Sequence, residues 1–149
     1  MYARLIAFAL AGVLGTSAIA EDKKDDKTTK VTGTAIIPKD VASFEGRVLE
    51  LRLYTIEKNI ADKKADLVEL VEIKDFTHLE GKETKKAFTI GAKGELKPGN
   101  RYYVTAFVLK KDARTHIGQA DHVDFPLNKV ITDGNPREIT IRFKEIGKK

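Results

Sequence analysis

The chain contains no cysteine and no tryptophan, and its 149 residues include only one methionine and four prolines. The lack of cysteine excludes disulfides, thiol catalysis and thiolate metal ligands, and it also excludes the lipid-bearing cysteine of a bacterial lipoprotein. Besides Ser17, the only serine is Ser43, and no glycine-flanked turn presents it as a nucleophile. We therefore predict that the protein has no catalytic residue and no cofactor and is not an enzyme.

Charge of a single sign is not concentrated in any segment. Lysine and arginine number 27 against 22 aspartates and glutamates, a net charge of +5. The two signs alternate closely, as in Lys82–Lys86, so they largely cancel within a Debye length of about 8–10 Å. A nucleic-acid binder shows a basic patch with interleaved aromatic residues. The pattern predicts a solvated surface and no nucleic-acid partner.

Long hydrophobic runs are absent after the first twenty residues. Leu5–Leu14 is apolar, Arg4 precedes it, and Ala18–Ala20 offers the small residues that signal peptidase accepts. The run is about half the ~20 residues that span a bilayer. We predict that residues 1–20 are a cleavable signal peptide, that no integral membrane segment remains after cleavage, and that the protein is periplasmic or secreted.

The remainder divides by composition into a short leader, one domain and a short tail. Residues 21–30 contain no apolar side chain and are predicted to be a disordered lead-in. Residues 31–146 are predicted to form a single domain, and residues 147–149 a basic tail.

Period-two alternation and β-rich composition dominate the domain. Leu49, Leu51 and Leu53 share one face of the clearest segment, and few helical patterns intervene. This pattern indicates an antiparallel β-sandwich of the immunoglobulin- or transthyretin-like Greek-key kind, or a partly open barrel. The predicted strands are Val31–Ile37, Arg47–Ile56, Lys86–Ile90, Arg101–Leu109, Val123–Phe125, Lys129–Ile131 and Glu138–Phe143.

One segment and one motif refine this picture. Asn59–Ile73 fits either an amphipathic helix or a polar loop followed by a strand from about Leu67, and the surrounding strands favour the loop and strand.

The spacing of Leu96, Pro98 and Tyr102 at the entry to a strong strand is similar to a tyrosine corner, in which the tyrosine hydroxyl bonds to the backbone just upstream. The motif favours the all-β sandwich, which is the fold we predict.

The strand Arg101–Leu109 is apolar on both faces. Tyr102, Val104, Ala106 and Val108 lie on one side, and Tyr103, Phe107 and Leu109 on the other. If the first face belongs to the core, the second is either covered by the Asn59–Asp66 segment or exposed for a partner. Tyr103, Phe107 and Leu109 are our candidate partner-binding residues.

A divalent metal site is the alternative function. His116, His122 and Asp124 lie close in sequence, and His78 could act as a remote further ligand. On a continuous strand His116 and His122 would be about 20 Å apart, so only a chain reversal at Gly118-Gln119 could join them.

Three sequence pieces together resemble a known family. These are Val31-Thr32-Gly33-Thr34, then Val48–Leu53 running into a polar segment, and Gly134-Asn135-Pro136 followed by Arg137–Phe143. The layout is similar to the type III secretion lipoprotein chaperone (pilot protein) family over most of residues 31–146.

The resemblance implies a small β-sandwich of the bacterial cell envelope that acts by protein contact. Secretion members of that family help an outer-membrane secretin reach its place. This chain lacks the lipidated cysteine, so the role of the acyl chain does not transfer. We predict an exported, non-enzymatic binding or accessory module with a protein partner, and the sequence leaves its oligomeric state open.

Overall fold

The computed structural model describes residues 26–60 and 63–147. The predicted signal peptide at residues 1–20 lies outside the described residues, as do 21–25, 61–62 and 148–149. The described part contains eight strands: β1 (Val31–Ile37), β2 (Phe44–Glu57), β3 (Asp66–His78), β4 (Thr84–Ile90), β5 (Asn100–Lys110), β6 (Ala113–Ala120), β7 (Asn128–Val130) and β8 (Glu138–Glu145).

Hydrogen bonds join the strands into one sheet. Its order is β3-β2-β5-β6-β8-β1-β4, and β7 pairs with β5 off this path. All pairs are antiparallel except β1 with β8, which run parallel. The two edge strands, β3 and β4, come into contact, so the sheet nearly closes into a barrel.

The all-β expectation is therefore confirmed, while the two-sheet antiparallel sandwich is replaced by one sheet that curls around its own core. Alternation in the sequence reports only which face of a strand is buried. It does not tell whether the buried face meets a second sheet or the far side of the same one. The partly open barrel that the strand pattern also allowed is the closer description.

The core consists of alternate side chains from the strands. Leu49, Leu51 and Leu53 of β2 are all 0% exposed. Ile141 and Phe143 of β8 are also buried, as their clean alternation predicts. At the start of β2, Gly46 adopts φ +60°, where the register with β3 shifts. Glycine suits this irregular position because the left-handed region costs it little.

The described part of the ambiguous segment ends in a strand and contains no helix. Residues 63–65 have no regular structure, and β3 begins at Asp66, which agrees with the loop-and-strand prediction. β3 continues past the predicted end to His78, with register shifts along β2. Asp75 takes a positive φ of 54° within it, and this irregularity hides the strand from a strict alternation test.

The sequence pattern does not predict β6, and it predicts a strand after β6 that is not present. The inward positions of β6 are His116, Gly118 and Ala120, which do not form an aliphatic pattern. A Cβ at Gly118 would lie 2.5 Å from Ile141 Cγ2, so only glycine fits there without rearrangement. The predicted strand Val123–Phe125 is wrong, because those residues lie in the turn and bends between β6 and β7.

Residues 26–30, expected to belong to a disordered lead-in, are bound to the barrel. The Thr29 N–H donates to the Gly94 carbonyl at 2.9 Å, and Thr29 itself is 1% exposed. Arg137 Nη1 donates to the Thr28 carbonyl at 2.9 Å, and its Nη2 donates to the Asp26 carbonyl at 2.8 Å. A segment without apolar side chains is thus held by its backbone polar groups.

Candidate functional site

Residues of β2 and β5 that point away from the core form a continuous outward face. Leu51 and Ala106 are register partners on the core side and are 0% and 1% exposed. Because side chains alternate along a strand, their neighbours point outward. We call this outward set the outer patch; it comprises Glu50, Arg52, Tyr54, Tyr103, Thr105, Phe107 and Leu109.

Two stacked tyrosines lie at one end of the outer patch. Tyr54 and Tyr103 are register partners, and their ring centroids are 5.3 Å apart with an interplanar angle of 22°. Leu67 of β3 pairs beside Tyr54, and Lys129 of β7 beside Tyr103. These four residues form a row across four strands, about 14 Å long at ~4.8 Å per strand. Burial raises the pKa of Tyr103, and the neighbouring Tyr54 adds to the rise.

A salt bridge lies next to the tyrosines. Arg52 Nη2 donates to Glu50 Oε2 at 2.9 Å, and Arg52 Nε lies 2.9 Å from Glu50 Oε1. The Glu50 side chain is only 5% exposed, whereas that of Arg52 is 32% exposed. Hydrogen bonding to the Tyr54 hydroxyl and to Glu50 raises the pKa of Arg52. The guanidinium is therefore held in a fixed position beside the Tyr54 hydroxyl.

The three predicted partner-binding residues all lie on the outward side of β5. Tyr103, Phe107 and Leu109 are half-buried and do not belong to the core. The Arg114 guanidinium lies 4.0 Å above the Phe107 ring centroid, a cation–π contact. Phe107 also pairs in register with Glu50 on β2. The structure thus brings the predicted aromatics together with a charged pair that the sequence reading did not include.

Tyr54, Arg52 and Glu50 are the site residues that the sequence reading missed. The alternation of β2 places them opposite its leucines, and that signal was visible. The sequence of one strand does not show which strand it pairs with. The Tyr54–Tyr103 stack could therefore be predicted only from the pairing of β2 with β5.

The tyrosine-corner residues lie at the start of β5. The Lys97 N–H donates to the Tyr102 hydroxyl at 2.9 Å, which is the bond such a corner makes. Tyr102 is 2% exposed, and Leu96 packs against the core. Pro98 precedes Gly99, whose φ is +80°. This arrangement fixes the entry to β5 and hence the position of Tyr103 on the outer side.

The predicted metal ligands are not brought together. His116 lies inside the barrel, 3% exposed, with Nδ1 2.9 Å from Thr115 Oγ1. His122 and Asp124 are exposed in the segment after β6, and His122 Nε2 donates to the Lys129 carbonyl at 2.8 Å. Within residues 26–60 and 63–147, no group of three or more His, Asp or Glu side chains could hold a metal ion.

The proposed remote ligand His78 has a structural environment of its own. Its Nε2 donates to the Val41 carbonyl at 3.0 Å, and its Nδ1 lies 2.9 Å from Thr84 Oγ1. Its ring packs against Phe44 with a centroid separation of 5.5 Å. These contacts tie the loop before β2 to the turn between β3 and β4. Ser43 has a similar role, since its Oγ accepts the Glu80 N–H at 2.9 Å.

Comparisons with known proteins bear on the fold. No protein-family model and no curated protein matches the chain. A solved structure of an alternative pilotin from the type II secretion system of Vibrio cholerae is similar to it, with a TM-score of 0.56 and 18% sequence identity over 82% of this chain and 100% of that one. At this identity the likeness shows the fold alone, so the chain has a pilotin-like fold. The likeness does not extend to the type III family that the sequence resembles.

None of the described residues forms a helix long and apolar enough to cross a membrane.

Proposed function

We propose that the chain is an exported, non-enzymatic accessory protein of the bacterial envelope that binds a protein partner through the outer patch. The observation that carries the proposal is the aromatic and arginine content of an outward sheet face. Tyr54, Tyr103 and Phe107 lie there, and none of them is needed to fill the core. A soluble sheet face normally carries polar side chains between its inward apolar ones.

The composition of the outer patch matches that of interface hot spots. Tyrosine and arginine are enriched where binding energy concentrates, because each combines a large apolar surface with directional hydrogen bonds. Arg52 and Tyr103 are further ordered before binding, by the Glu50 salt bridge and the Tyr54 stack. Side chains that are already fixed lose less conformational entropy when a partner binds.

Two likenesses support the proposed class of partner. The pilotin-like fold and the resemblance of residues 31–146 to secretion pilot proteins both point to an outer-membrane secretin. The chain has no cysteine, so the proposal covers recognition of the secretin and not carriage by an acyl chain.

The test measures whether the purified protein captures the secretin that is encoded in the same genome. We expect Phe107→Gln and Tyr103→Gln to weaken capture by about 30-fold or more, as loss of a hot-spot residue does. Thr89→Gln on β4 is the matched control, since Thr89 is exposed on another part of the barrel, and it should leave capture unchanged.

Melting temperatures of all three variants separate loss of binding from loss of folding. Capture that survives both β5 substitutions, or a wild-type protein that captures no secretin, would contradict the proposal.

A further inference from the structure

A groove adjoins the outer patch where β5, β7 and the loop before β8 meet. Its volume is about 620 Å³, within the ~300–1,000 Å³ range of typical ligand pockets. Ile56, Tyr103 and Leu127 supply its apolar surface, while Arg101, Lys129 and Asp133 supply charge. Leu127 is 41% exposed, so an apolar side chain at the groove wall is available to a partner.

Positive charge exceeds negative charge at this groove. Asp133 is shared between two cations: it accepts a hydrogen bond from Lys58 and lies 3.2 Å from Arg101 Nε. Lys129 is exposed on β7, and no carboxylate of residues 26–60 or 63–147 forms an ion pair with it. Of the charged residues that line the groove, two are cations, Arg101 and Lys129, and one is a carboxylate, Asp133, so the groove is complementary to an acidic group.

Beneath the groove, β5 already has a neighbouring strand on each side. At Tyr103, β5 lies between β2 and β7, with Tyr54 and Lys129 as its register partners. A partner cannot add a strand to β5 at this point, because strand addition requires a free sheet edge. Recognition at β5 therefore depends on side chains, both the apolar wall and the two cations.

The spacing of these cations defines what fits between them. Arg101 and Tyr103 lie on the same face of β5, about 7 Å apart along the strand. Lys129 lies one strand away from Tyr103. A carboxylate placed over the Tyr103 ring edge would be within reach of both long side chains, while apolar neighbours in the same segment would contact Ile56 and Leu127.

We infer that this groove binds an acidic segment of the protein partner, one in which an Asp or Glu is flanked by apolar side chains. The inference rests on the proposed function and adds the chemistry of the recognised segment. The apolar wall supplies contact area, and Lys129 and Arg101 select for negative charge. Complementary charge of this kind contributes more to specificity and association rate than to affinity.

The test is selection of a phage-displayed library of random 12-residue peptides on the immobilised full-length chain without its signal peptide. We expect the selected pool to be enriched in Asp or Glu beside Leu, Ile, Phe or Tyr. A synthetic peptide from that pool should then bind the wild-type protein in fluorescence anisotropy. Lys129→Glu should raise its Kd about 10-fold or more, because an attractive charge becomes a repulsive one.

Two controls make the result specific to the groove. Lys86→Glu on β4 is the matched charge reversal, since Lys86 is also exposed and also forms no ion pair within the described part of the chain. It should change the Kd by less than about 2-fold. The same peptide with its acid replaced by Lys should bind Lys129→Glu better than it binds the wild type.

The outcomes separate this inference from the function it rests on. A pool without acidic enrichment, or a Kd that Lys129→Glu does not change, overturns the inference. Stronger binding to phosphatidylglycerol vesicles than to the peptides, lost in Lys129→Glu, also overturns it in favour of a lipid.

The two proposals can also fail separately. If secretin capture is lost in Phe107→Gln but unchanged in Lys129→Glu, the acidic-segment inference fails and the proposed function stands. If acidic peptides bind the groove but wild-type protein captures no secretin, the proposed function fails instead.

Discussion

The two faces of β2 differ in what determines their residues. On the inner face Leu49, Leu51 and Leu53 are fully buried, and their identity is set by the space inside the barrel. On the outer face of the same strand are Arg52 and Tyr54, which the core does not need. A strand that must only close a barrel could carry threonine or lysine there. Folding therefore accounts for the residues of the inner face, and the proposed contact with a partner accounts for those of the outer face.

The position of Glu50 sharpens the contrast, because it is a carboxylate that is almost fully buried on the outer side. Burial of an ion pair gains little net stability, since desolvation offsets the attraction. Its visible consequence is to hold Arg52 in place beside Tyr54. The ion pair thus orders the surface while contributing little net stability.

The largest expected effect comes from placing the same polar residue on each face. Leu51→Gln puts an unbonded amide into the core and removes a fully buried side chain, at a cost of about 4 kcal/mol or more. Phe107→Gln on the half-buried outer face should cost about 1 kcal/mol. Urea unfolding followed by circular dichroism measures both, and equal costs would remove the distinction between the faces.

A smaller effect tests how tightly the inner face is packed. In Gly118→Ala the new methyl would meet Ile141 Cγ2 at 2.5 Å and Phe143 Cζ at 2.9 Å, so we expect a loss of about 1–3 kcal/mol from overpacking. Thr105→Ala, the control on the outer face, should change stability by less than about 0.5 kcal/mol. Thermal unfolding of the two variants checks this, and a neutral Gly118→Ala would show that the barrel interior has spare room.

The charged pair of the outer face provides the next test. Arg52→Met leaves the buried Glu50 carboxylate without its cation, and because Arg52 is itself partly exposed we expect about 1–2 kcal/mol of destabilisation. The double variant Glu50→Met, Arg52→Met should recover most of that loss and should still bind the partner more weakly than wild type. A double variant with full binding would mean that the pair does not serve the contact surface.

The smallest effect concerns the groove rim and depends on pH. Hydrogen bonding from Lys58 lowers the pKa of Asp133 from its usual 3.8. A lowered carboxyl pKa stabilises the folded state above the unfolded pKa, and this contribution disappears as the pH falls through the folded value. Asp133→Asn should therefore lower the urea midpoint slightly at pH 7 and not at all below the folded pKa. A difference that persists in strong acid would point to a role for Asp133 other than its charge.

Some strands of this structure can be predicted from the alternation or the composition of their own residues. Alternating large apolar residues predict β8, whereas β-branched and aromatic composition predicts β5, with Tyr103 and Phe107 on the side opposite Tyr102 and Val104. β6 was missed because its inward positions hold a histidine and two small residues. Their fit depends on Phe143 and Ile141 from another strand.

Pairing across strands is the information that a sequence read alone does not contain. The Tyr54–Tyr103 stack and the groove at Lys129 both arise where β2, β5 and β7 lie side by side. Closure of the sheet likewise depends on β3 meeting β4. β2, β5 and β7 are not consecutive in the chain, so the outer patch could be predicted only in part.

Site-specific photo-crosslinking in the native host tests the outer patch as a contact surface most directly. A benzophenone amino acid is placed at position 103, at position 107 and, as control, at position 89 on β4. We expect positions 103 and 107 both to crosslink the same envelope protein and position 89 not to crosslink it. No crosslinked product from β5, or an equal yield from position 89, would contradict it.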